Sequence, residues 1–366
     1  MGPSTESRPR ARELGITVGA LPPGRLNAIT DVPGVRVGHA SVMRGEGELR
    51  VGSGPVRTGV TAVLPHDGNL FTEKVRAASF VLNGFGKSVG LPQVQELGCI
   101  ETPILLTGTL NVWRVADALV DYKSARNPGV YSFNPLVCEC NDSGLNDALG
   151  RHVTDAHVMQ AIGSASADTP EEGNVGAGVG MTGFGWKAGI GTASRVVNVG
   201  SGRFSVGALV LTNTGQAQEL RIGGVPVGQE LTPADVAPPP DDGSIIMLSA
   251  TDAALSHRQL GRIAKRAALG LGCTGATASH GSGDFAIAFS TAGRVSADGR
   301  ELCAEGRKVR EPELTPFFQA TVEAVEEAII NSLLRAETLV GRDGVTRHAI
   351  PIERLTDILR DHRQID

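Results

Sequence analysis

Aromatic side chains are scarce in this sequence. Phe, Trp and Tyr together make up 4% of its 366 residues, whereas glycine occurs 48 times. A core with few aromatic rings is filled by smaller apolar side chains, and glycine lets two backbones approach closely. With 41% hydrophobic and 20% charged residues, the composition indicates a globular protein with closely packed sheets and helices.

The sequence also lacks an excess of positive charge and any long apolar run. The 34 Lys and Arg residues face 39 Asp and Glu, a net charge of −5, so we expect no nucleic-acid partner. No stretch approaches the ~18 apolar residues of a membrane span. Residues 1–13 are polar and lack the apolar centre of a secretory signal. We expect them to be disordered or loosely attached, and the protein to be cytoplasmic.

Cysteine is rare and scattered, with five residues in the whole chain. An odd, dispersed set argues against a disulfide framework. Cys138 and Cys140 are the one close pair, and they lack a second pair or a histidine at zinc-finger spacing. We therefore expect no structural metal.

Strand-like and helical patterns are mixed in both halves of the chain. Apolar and β-branched runs predict strands at 26–42, 58–65, 101–110, 204–215 and 285–291. Helical spacing of apolar residues predicts helices at 111–123, 253–272 and 315–341. The last helix has Thr315 as its N-cap, Pro316 as its first residue and Gly341 as its C-terminal cap. Without strict β-α-β alternation, a layered α+β fold is favoured.

Two glycine-rich stretches, 178–183 and 270–275, match the pattern G-x-G-x-x-G. A dinucleotide site needs a strand before this pattern and a helix after it. The first match lies in continuous glycine-rich sequence and the second follows a predicted helix. Tight turns or close backbone packing are the favoured explanation for these glycines.

The motif "GSGD" at 281–284 places Ser282 and Asp284 just before a predicted strand. Residues two apart in an extended segment point to the same side, so both could face one site. A plain turn in which Asp284 binds backbone amides is an open alternative. His280 completes a Ser/His/Asp set, but a structural or solvated histidine is favoured. Asn213 ends a predicted strand, where it is either a turn residue or a donor to an oxyanion.

An abrupt boundary follows the loop "APPPDDG" at residues 237–243. The apolar run "SIIMLSATD" begins directly after it with Ser244. If the chain breaks its own Gly243–Ser244 bond, Ser244 gains a free α-amine with a pKa of ~7.7–8.0. That amine could act as the base for the hydroxyl of the same residue. From the residues alone, a loop that simply meets a strand is the favoured interpretation.

Taken together, several segments resemble the self-processing serine aminopeptidases, which include the L-aminopeptidase/D-Ala-esterase/amidases and the β-aminopeptidases. The resemblance covers residues 26–341. It rests on these segments, in order: "LNAITDVPGVRVGHASV", "EGNVGAGVG", "GIGTASR", "LVLTNTG", "DDGSIIMLSATDAAL", "KRAALGLGCTGA", "GSGDFAIAFST" and "EAVEEAIINSLL".

The resemblance implies a single-domain, four-layer αββα sandwich like that of the N-terminal-nucleophile hydrolases. It also implies self-cleavage into chains 1–243 and 244–366 that stay associated, as tetramers of heterodimers without metal or cofactor. Ser244 would be the nucleophile of both cleavage and catalysis. Ser282 and Asp284 would orient it, and Asn213 would lie near the oxyanion. Small peptides, amides or esters would be the substrates, through an acyl-enzyme.

Two positions depart from the family pattern. Where members read N-G-x-G-E, this chain reads "NGFGKS", with Lys87 in the acidic place. Near Asn141, where members often carry an aromatic residue, there is none. A lysine would repel a substrate ammonium and favour an anionic group. An acyltransferase like the ornithine acetyltransferases, an unusual anionic amide substrate and a non-catalytic role are the alternatives.

Overall fold

The protein is described by a computed structural model that covers residues 8–233, 243–303 and 309–365, with 301–303 described for their backbone alone. Most of the predicted loop at 231–243 lies outside these residues. It therefore stays a prediction, apart from Leu231–Pro233 and Gly243.

Six α-helices and fifteen β-strands lie within the described residues. The helices are α1 (Leu91–Leu97), α2 (Val112–Arg126), α3 (Asp155–Gly163), α4 (His257–Cys273), α5 (Thr315–Leu334) and α6 (Ile352–Asp361). The strands are β1 (Arg36–Arg44), β2 (Val56–Leu64), β3 (Glu73–Gly84), β4 (Cys99–Ile100), β5 (Ile104–Gly108), β6 (Leu136–Cys140), β7 (Thr182–Gly183), β8 (Trp186–Lys187), β9 (Ile190–Val199), β10 (Gly202–Asn213), β11 (Ser244–Thr251), β12 (Gly283–Ser296), β13 (Glu301–Cys303), β14 (Leu339–Val340) and β15 (Thr346–Arg347).

Two sheets make up the centre of the protein. The smaller has the order β1-β2-β5-β6. The larger has the order β4-β3-β12-β11-β10-β9, with β13 paired to β12. In these two sheets, β5 with β6 and β11 with β12 are parallel pairs, and the other pairs are antiparallel.

Strand β11 explains why the two sheets stack. All eight of its residues are buried. Ile246 and Leu248 belong to the apolar cluster between the sheets, whereas Ile245 and Met247 belong to the cluster beneath α4 and α5. Because successive side chains of a strand point to opposite faces, a strand that is apolar throughout has to be covered on both faces.

Helices cover the outer face of each sheet. α2 and α3 pack on the smaller sheet through residues such as Val115, Leu119 and Val158. α4 and α5 pack on the larger one through residues such as Leu260 and Ile329. The arrangement is a four-layer αββα sandwich, as the resemblance implied.

The predicted strands and helices are confirmed, with shifted ends. α5 ends at Leu334, not at Gly341, and Leu314 is its N-cap, so Thr315 is its first residue. The early end has a physical cause: the Asn174 side chain donates to the carbonyl of Glu337 and accepts from its N–H. Both backbone groups of Glu337 are thus taken by a side chain, and a continued helix would need them.

The expectation of a loose start at residues 1–13 is wrong for residues 8–13. Residues Ala11–Leu14 form a 3₁₀ helix. The Arg8 guanidinium donates to the carbonyls of Leu334 and Ile350. Arg12 pairs with the buried Glu327 at 3.0 Å. These contacts attach the segment to α5, and a composition-based prediction misses them because arginine also suits solvent. Residues 1–7 lie outside the described part.

The glycine-rich middle of the chain is close-packed, as predicted. A Cβ added at Gly191 in β9 would lie 1.9 Å from the carbonyl oxygen of Ala328 and 2.7 Å from the amide nitrogen of Ser332. Helix α5 thus lies directly on the strand backbone. Within the stretch 178–183, a Cβ at Gly178 or Gly180 would lie 2.5 Å from the carbonyl oxygen of Gly173 or 2.3 Å from that of Arg57, so close packing explains these glycines.

We predict that Gly191→Ala lowers the free energy of unfolding by roughly 1–3 kcal/mol, because backbone atoms of α5 would have to move. Gly163→Ala is the matched control, since a Cβ there meets nothing within 4 Å and helix propensity favours alanine by about 1 kcal/mol. Urea unfolding measures both. Equal effects of the two substitutions would contradict the packing account.

Candidate active site

Four strand ends meet at one edge of the larger sheet. β10 ends at Asn213, β11 begins at Ser244, β12 begins at Gly283 and β3 ends at Gly84. In the strand register, Ser244 lies opposite Asn213 on one side and Gly283 on the other, and Gly283 lies opposite Gly84. The alternation of parallel and antiparallel pairs therefore brings together residues that are far apart in sequence.

Ser244 is 4% exposed. Its Oγ donates to the carbonyl oxygen of Gly243 at 2.7 Å. The backbone N–H of Gly283 lies 3.2 Å from that carbonyl oxygen and 3.4 Å from Oγ. A hydroxyl therefore lies beside a peptide carbonyl whose oxygen already faces an N–H donor. An N–H donor on a carbonyl oxygen is what stabilisation of an oxyanion requires, and the Ser244 hydroxyl is the nucleophilic group that lies nearest in sequence to that carbonyl.

Ser282 and Asp284 are brought together as the "GSGD" motif suggested. Both are fully buried, and Ser282 Oγ donates to Asp284 Oδ1 at 2.6 Å. Ser282 Oγ also lies 3.4 Å from the position that a Cβ at Gly243 would take. Asp284 is paired with Ile245 in the register of β11 and β12. The pair therefore lies against the backbone that flanks Ser244.

Asp284 is an under-satisfied carboxyl group. Its Oδ2 is buried and has no hydrogen-bond partner among the described residues. Burial raises its pKa to about 6, against the opposing effects of the Ser282 hydroxyl and the Ile245 backbone N–H. A carboxyl group with a pKa shifted toward neutrality in a site of this kind is suited to holding or exchanging a proton.

Asn213 faces Ser244 across the β10–β11 pair, where directly opposite Cβ atoms are about 4.5–5.5 Å apart. Its Oδ1 accepts from the N–H of Thr182 at 2.9 Å, and its Nδ2 donates to the carbonyl of Asn141 at 3.1 Å. These two partners fix which way the carboxamide faces. One N–H of Nδ2 stays available for a third group.

The two pocket residues of the sequence analysis have different contacts at this edge. The Asn141 backbone carbonyl is the acceptor for Asn213. The Lys87 side chain is exposed, with its Nζ 5.3 Å from the centre of the Phe85 ring. The backbone of Phe85 and Gly86 lies over Gly283, since a Cβ there would be 2.9 Å from the carbonyl oxygen of Phe85.

Glu139 is the site residue that the sequence analysis missed. It is 2% exposed, and its Oε1 accepts from the backbone N–H of Lys87 at 2.8 Å. A carboxylate therefore lies beneath the loop that carries Lys87. The one available signal was its place between Cys138 and Cys140, an acidic residue within an otherwise apolar strand.

The remaining candidates take no part in this site. His280 is exposed, and its ring lies 6.4 Å from that of Phe85, which agrees with a solvated histidine.

Within the described ranges, no cluster of His, Cys, Asp and Glu could hold a metal ion. No helix among the same residues is long and apolar enough to cross a membrane. Cys138 and Cys140 belong to the apolar cluster between the sheets.

The αββα sandwich and a serine at the start of a central strand define an N-terminal-nucleophile type of serine hydrolase. The chain belongs to peptidase family S58, whose model matches residues 27–347. The β-peptidyl aminopeptidase BapA of Sphingosinicella microcystinivorans is 43% identical over 100% of this chain and 95% of its own length.

Solved structures agree with this assignment. The PH0078 protein of Pyrococcus horikoshii OT3 is 52% identical, with a TM-score of 0.91 over 97% of this chain and 99% of its own. The L-aminopeptidase D-Ala-esterase/amidase of Ochrobactrum anthropi is 37% identical, with a TM-score of 0.90 over 98% and 100%. That protein is described as a variant of the Ntn hydrolase fold, and this chain shares its fold.

We predict that Asp284→Asn stabilises the protein near neutral pH. The pKa of Asp284 is about 6 in the folded protein against an ordinary 3.8, so the folded state holds its proton longer than the unfolded chain. As the pH rises from about 4 to 6, this group therefore lowers the free energy of unfolding by up to about 3 kcal/mol, and the loss persists at higher pH.

The measurement is urea unfolding at pH 4 and pH 7.5. It is made in a Ser244→Ala background so that no chemistry occurs at position 244. The stability gain from Asp284→Asn should be small at pH 4 and larger at pH 7.5. A gain that is equal at both pH values, or larger at pH 4, would contradict the buried, proton-holding carboxyl.

Proposed function

We propose that this protein is a self-cleaving serine aminopeptidase that acts on small peptides, amides or esters through an acyl-enzyme on Ser244. The observation that carries the proposal is the contact of Ser244 Oγ and the Gly283 N–H with one carbonyl, that of Gly243. This carbonyl is the one that self-cleavage has to attack.

Maturation follows from this contact. Ser244 Oγ attacks the Gly243 carbonyl carbon, the C–N bond breaks, and the Ser244 nitrogen takes the proton that Oγ loses and becomes a free amine. Water then hydrolyses the ester to leave chains 1–243 and 244–366. The two chains remain associated, because β11 and β12 of one chain pair with β10 and β3 of the other.

In turnover, the freed α-amine of Ser244 takes the proton of its own Oγ as the oxygen attacks the substrate carbonyl. The Gly283 N–H and the free N–H of Asn213 Nδ2 stabilise the oxyanion. The leaving amine or alcohol departs, and water hydrolyses the acyl-enzyme. Ser282 and Asp284, which flank the backbone of Ser244, hold the α-amine in position.

The substrate is inferred to carry a free ammonium group. The similar protein of Sphingosinicella microcystinivorans is named a β-peptidyl aminopeptidase, and such enzymes have to recognise an amino terminus. Glu139 supplies a carboxylate for it beneath the loop of Lys87. Lys87 itself is exposed, so its repulsion is screened by solvent and weakens ammonium binding without abolishing it. This removes the main argument for an anionic substrate.

The comparisons do not favour the acyltransferase alternative, since the family and named relatives are peptidases. A tetramer of two-chain units is a further part of the proposal and rests on the family resemblance. Size-exclusion chromatography with light scattering tests that part separately.

We predict that Ser244→Ala keeps the chain intact and abolishes hydrolysis, because both reactions use the same hydroxyl. Denaturing mass spectrometry of the purified protein measures cleavage, and release of p-nitroaniline from an aminoacyl p-nitroanilide measures activity. Ser249→Ala is the matched control: this serine lies in the same strand and is also buried, and its loss should leave cleavage and turnover unchanged. A Ser244→Ala protein that still divides after Gly243 would contradict the nucleophile assignment.

We predict opposite effects on KM from the two charged neighbours. Glu139→Gln removes a charge-assisted bond worth about 1.5–3 kcal/mol and should raise KM for a free-amine substrate at least about tenfold. Lys87→Ala removes an exposed like charge and should lower KM roughly two- to fivefold. Steady-state kinetics of the two processed variants give both values. An unchanged KM in Glu139→Gln, or equal use of N-acetylated substrate by the wild type, would contradict ammonium recognition.

A further inference from the structure

Lys187 is a buried cation without a carboxylate partner among the described residues. It is fully buried in β8. Its Nζ donates to the backbone carbonyls of Gly178 and Met181 at 3.0 and 2.9 Å, and to that of Ala188. Three acceptors match the three donors of an ammonium group. Burial lowers its pKa well below the ordinary value, whereas the three carbonyl acceptors favour the charged form, which alone has three N–H donors.

The need to satisfy backbone carbonyls does not explain two of the three contacts of this lysine. The Met181 carbonyl already accepts from the N–H of Ala188 at 3.2 Å, and the Gly178 carbonyl accepts from that of Met181 at 3.3 Å. A buried ammonium is costly to desolvate, and an apolar side chain of the same length would avoid that cost. An effect of the charge on a neighbouring group would account for this cost.

One peptide unit connects Lys187 to the candidate active site. The carbonyl of the Met181–Thr182 peptide bond accepts from Lys187 Nζ, and the N–H of the same unit donates to Asn213 Oδ1 at 2.9 Å. A cation on the carbonyl oxygen polarises the unit and strengthens donation from its N–H. Asn213 in turn lies opposite Ser244 in the sheet.

We propose that Lys187 is a positioning residue for Asn213: it fixes and polarises the Met181–Thr182 peptide, which holds the Asn213 carboxamide with Nδ2 toward the oxyanion. The proposal rests on the proposed function, in which Asn213 is an oxyanion donor. Without Lys187, the peptide and the carboxamide can rotate, and the donor is present but misaligned.

The test is a double-mutant cycle on processed enzyme, with kcat referred to the concentration of free Ser244 N-termini. Asn213→Ala should lower kcat by about 10²–10³. Lys187→Met should lower kcat by about tenfold or more, because it removes part of the same oxyanion stabilisation. KM should change less than about threefold. Lys187→Gln, which keeps two donors, should fall in between. In the Asn213→Ala background, Lys187→Met should change kcat less than about twofold, since contacting sites are not additive.

Lys123→Met is the matched control. Lys123 is also buried, at 2% exposure, but its Nζ binds Asn69. Its loss should lower thermal stability and leave kcat of the folded enzyme unchanged. The proposal would be overturned if the effects of Lys187→Met and Asn213→Ala on kcat were multiplicative in the double variant. It would also be overturned if Lys187→Met lowered kcat no more than Lys123→Met does.

Two further results keep the test decisive. If Lys187→Met does not fold, Lys187→Gln is carried through the same cycle, with the same two outcomes. If the wild type is inactive, or Asn213→Ala turns over normally, the proposed function has failed. The positioning proposal alone is wrong if the wild type turns over, the Asn213→Ala variant is impaired, and the effects of the Lys187 and Asn213 substitutions on kcat are multiplicative.

Discussion

The parallel pairing of β11 with β12 is the constraint on which the site depends. It places the start of both strands at one edge of the larger sheet, so that the Gly283 N–H reaches the Gly243 carbonyl. The antiparallel neighbour β10 then has to end at the same edge, which brings Asn213 opposite Ser244. A one-residue shift in either pairing would turn these side chains to the other face of the sheet.

The same edge accounts for the unfavourable features of the molecule. Among the described residues, a buried oxygen of the Asp284 carboxyl group has no hydrogen-bond partner, and the buried Lys187 Nζ donates to backbone carbonyls alone. Both groups cost stability, and both are connected to Ser244: Asp284 is paired with the adjacent Ile245, and Lys187 is connected through the Met181–Thr182 peptide and Asn213. The apolar clusters above and below the larger sheet offset these costs, since β11 is buried on both faces. Buried polar groups of this kind are typical of functional sites.

Most helices and strands could be predicted from the sequence, because apolar spacing along one segment is a local property, whereas the four αββα layers were expected only from the family resemblance. The strand run after Ser244 and the stripe of α4 are examples. Ser244, Ser282, Asp284 and Asn213 could be proposed because they lie in recognisable motifs. Glu139 and Lys187 could not, since their contacts are with residues far along the chain or across a turn. In the sequence, Lys187 is one lysine among glycines, and only the folded loop surrounds it with carbonyls.

The most direct test of the central claim is to locate the acyl group on the processed enzyme. Purified protein is incubated with an activated ester, quenched in acid and analysed by tandem mass spectrometry. The account predicts one acyl adduct, on the peptide that begins with Ser244, and its loss on longer incubation as water completes the reaction. An adduct on another residue, or turnover by a protein whose chain is never cut before Ser244, would contradict the account.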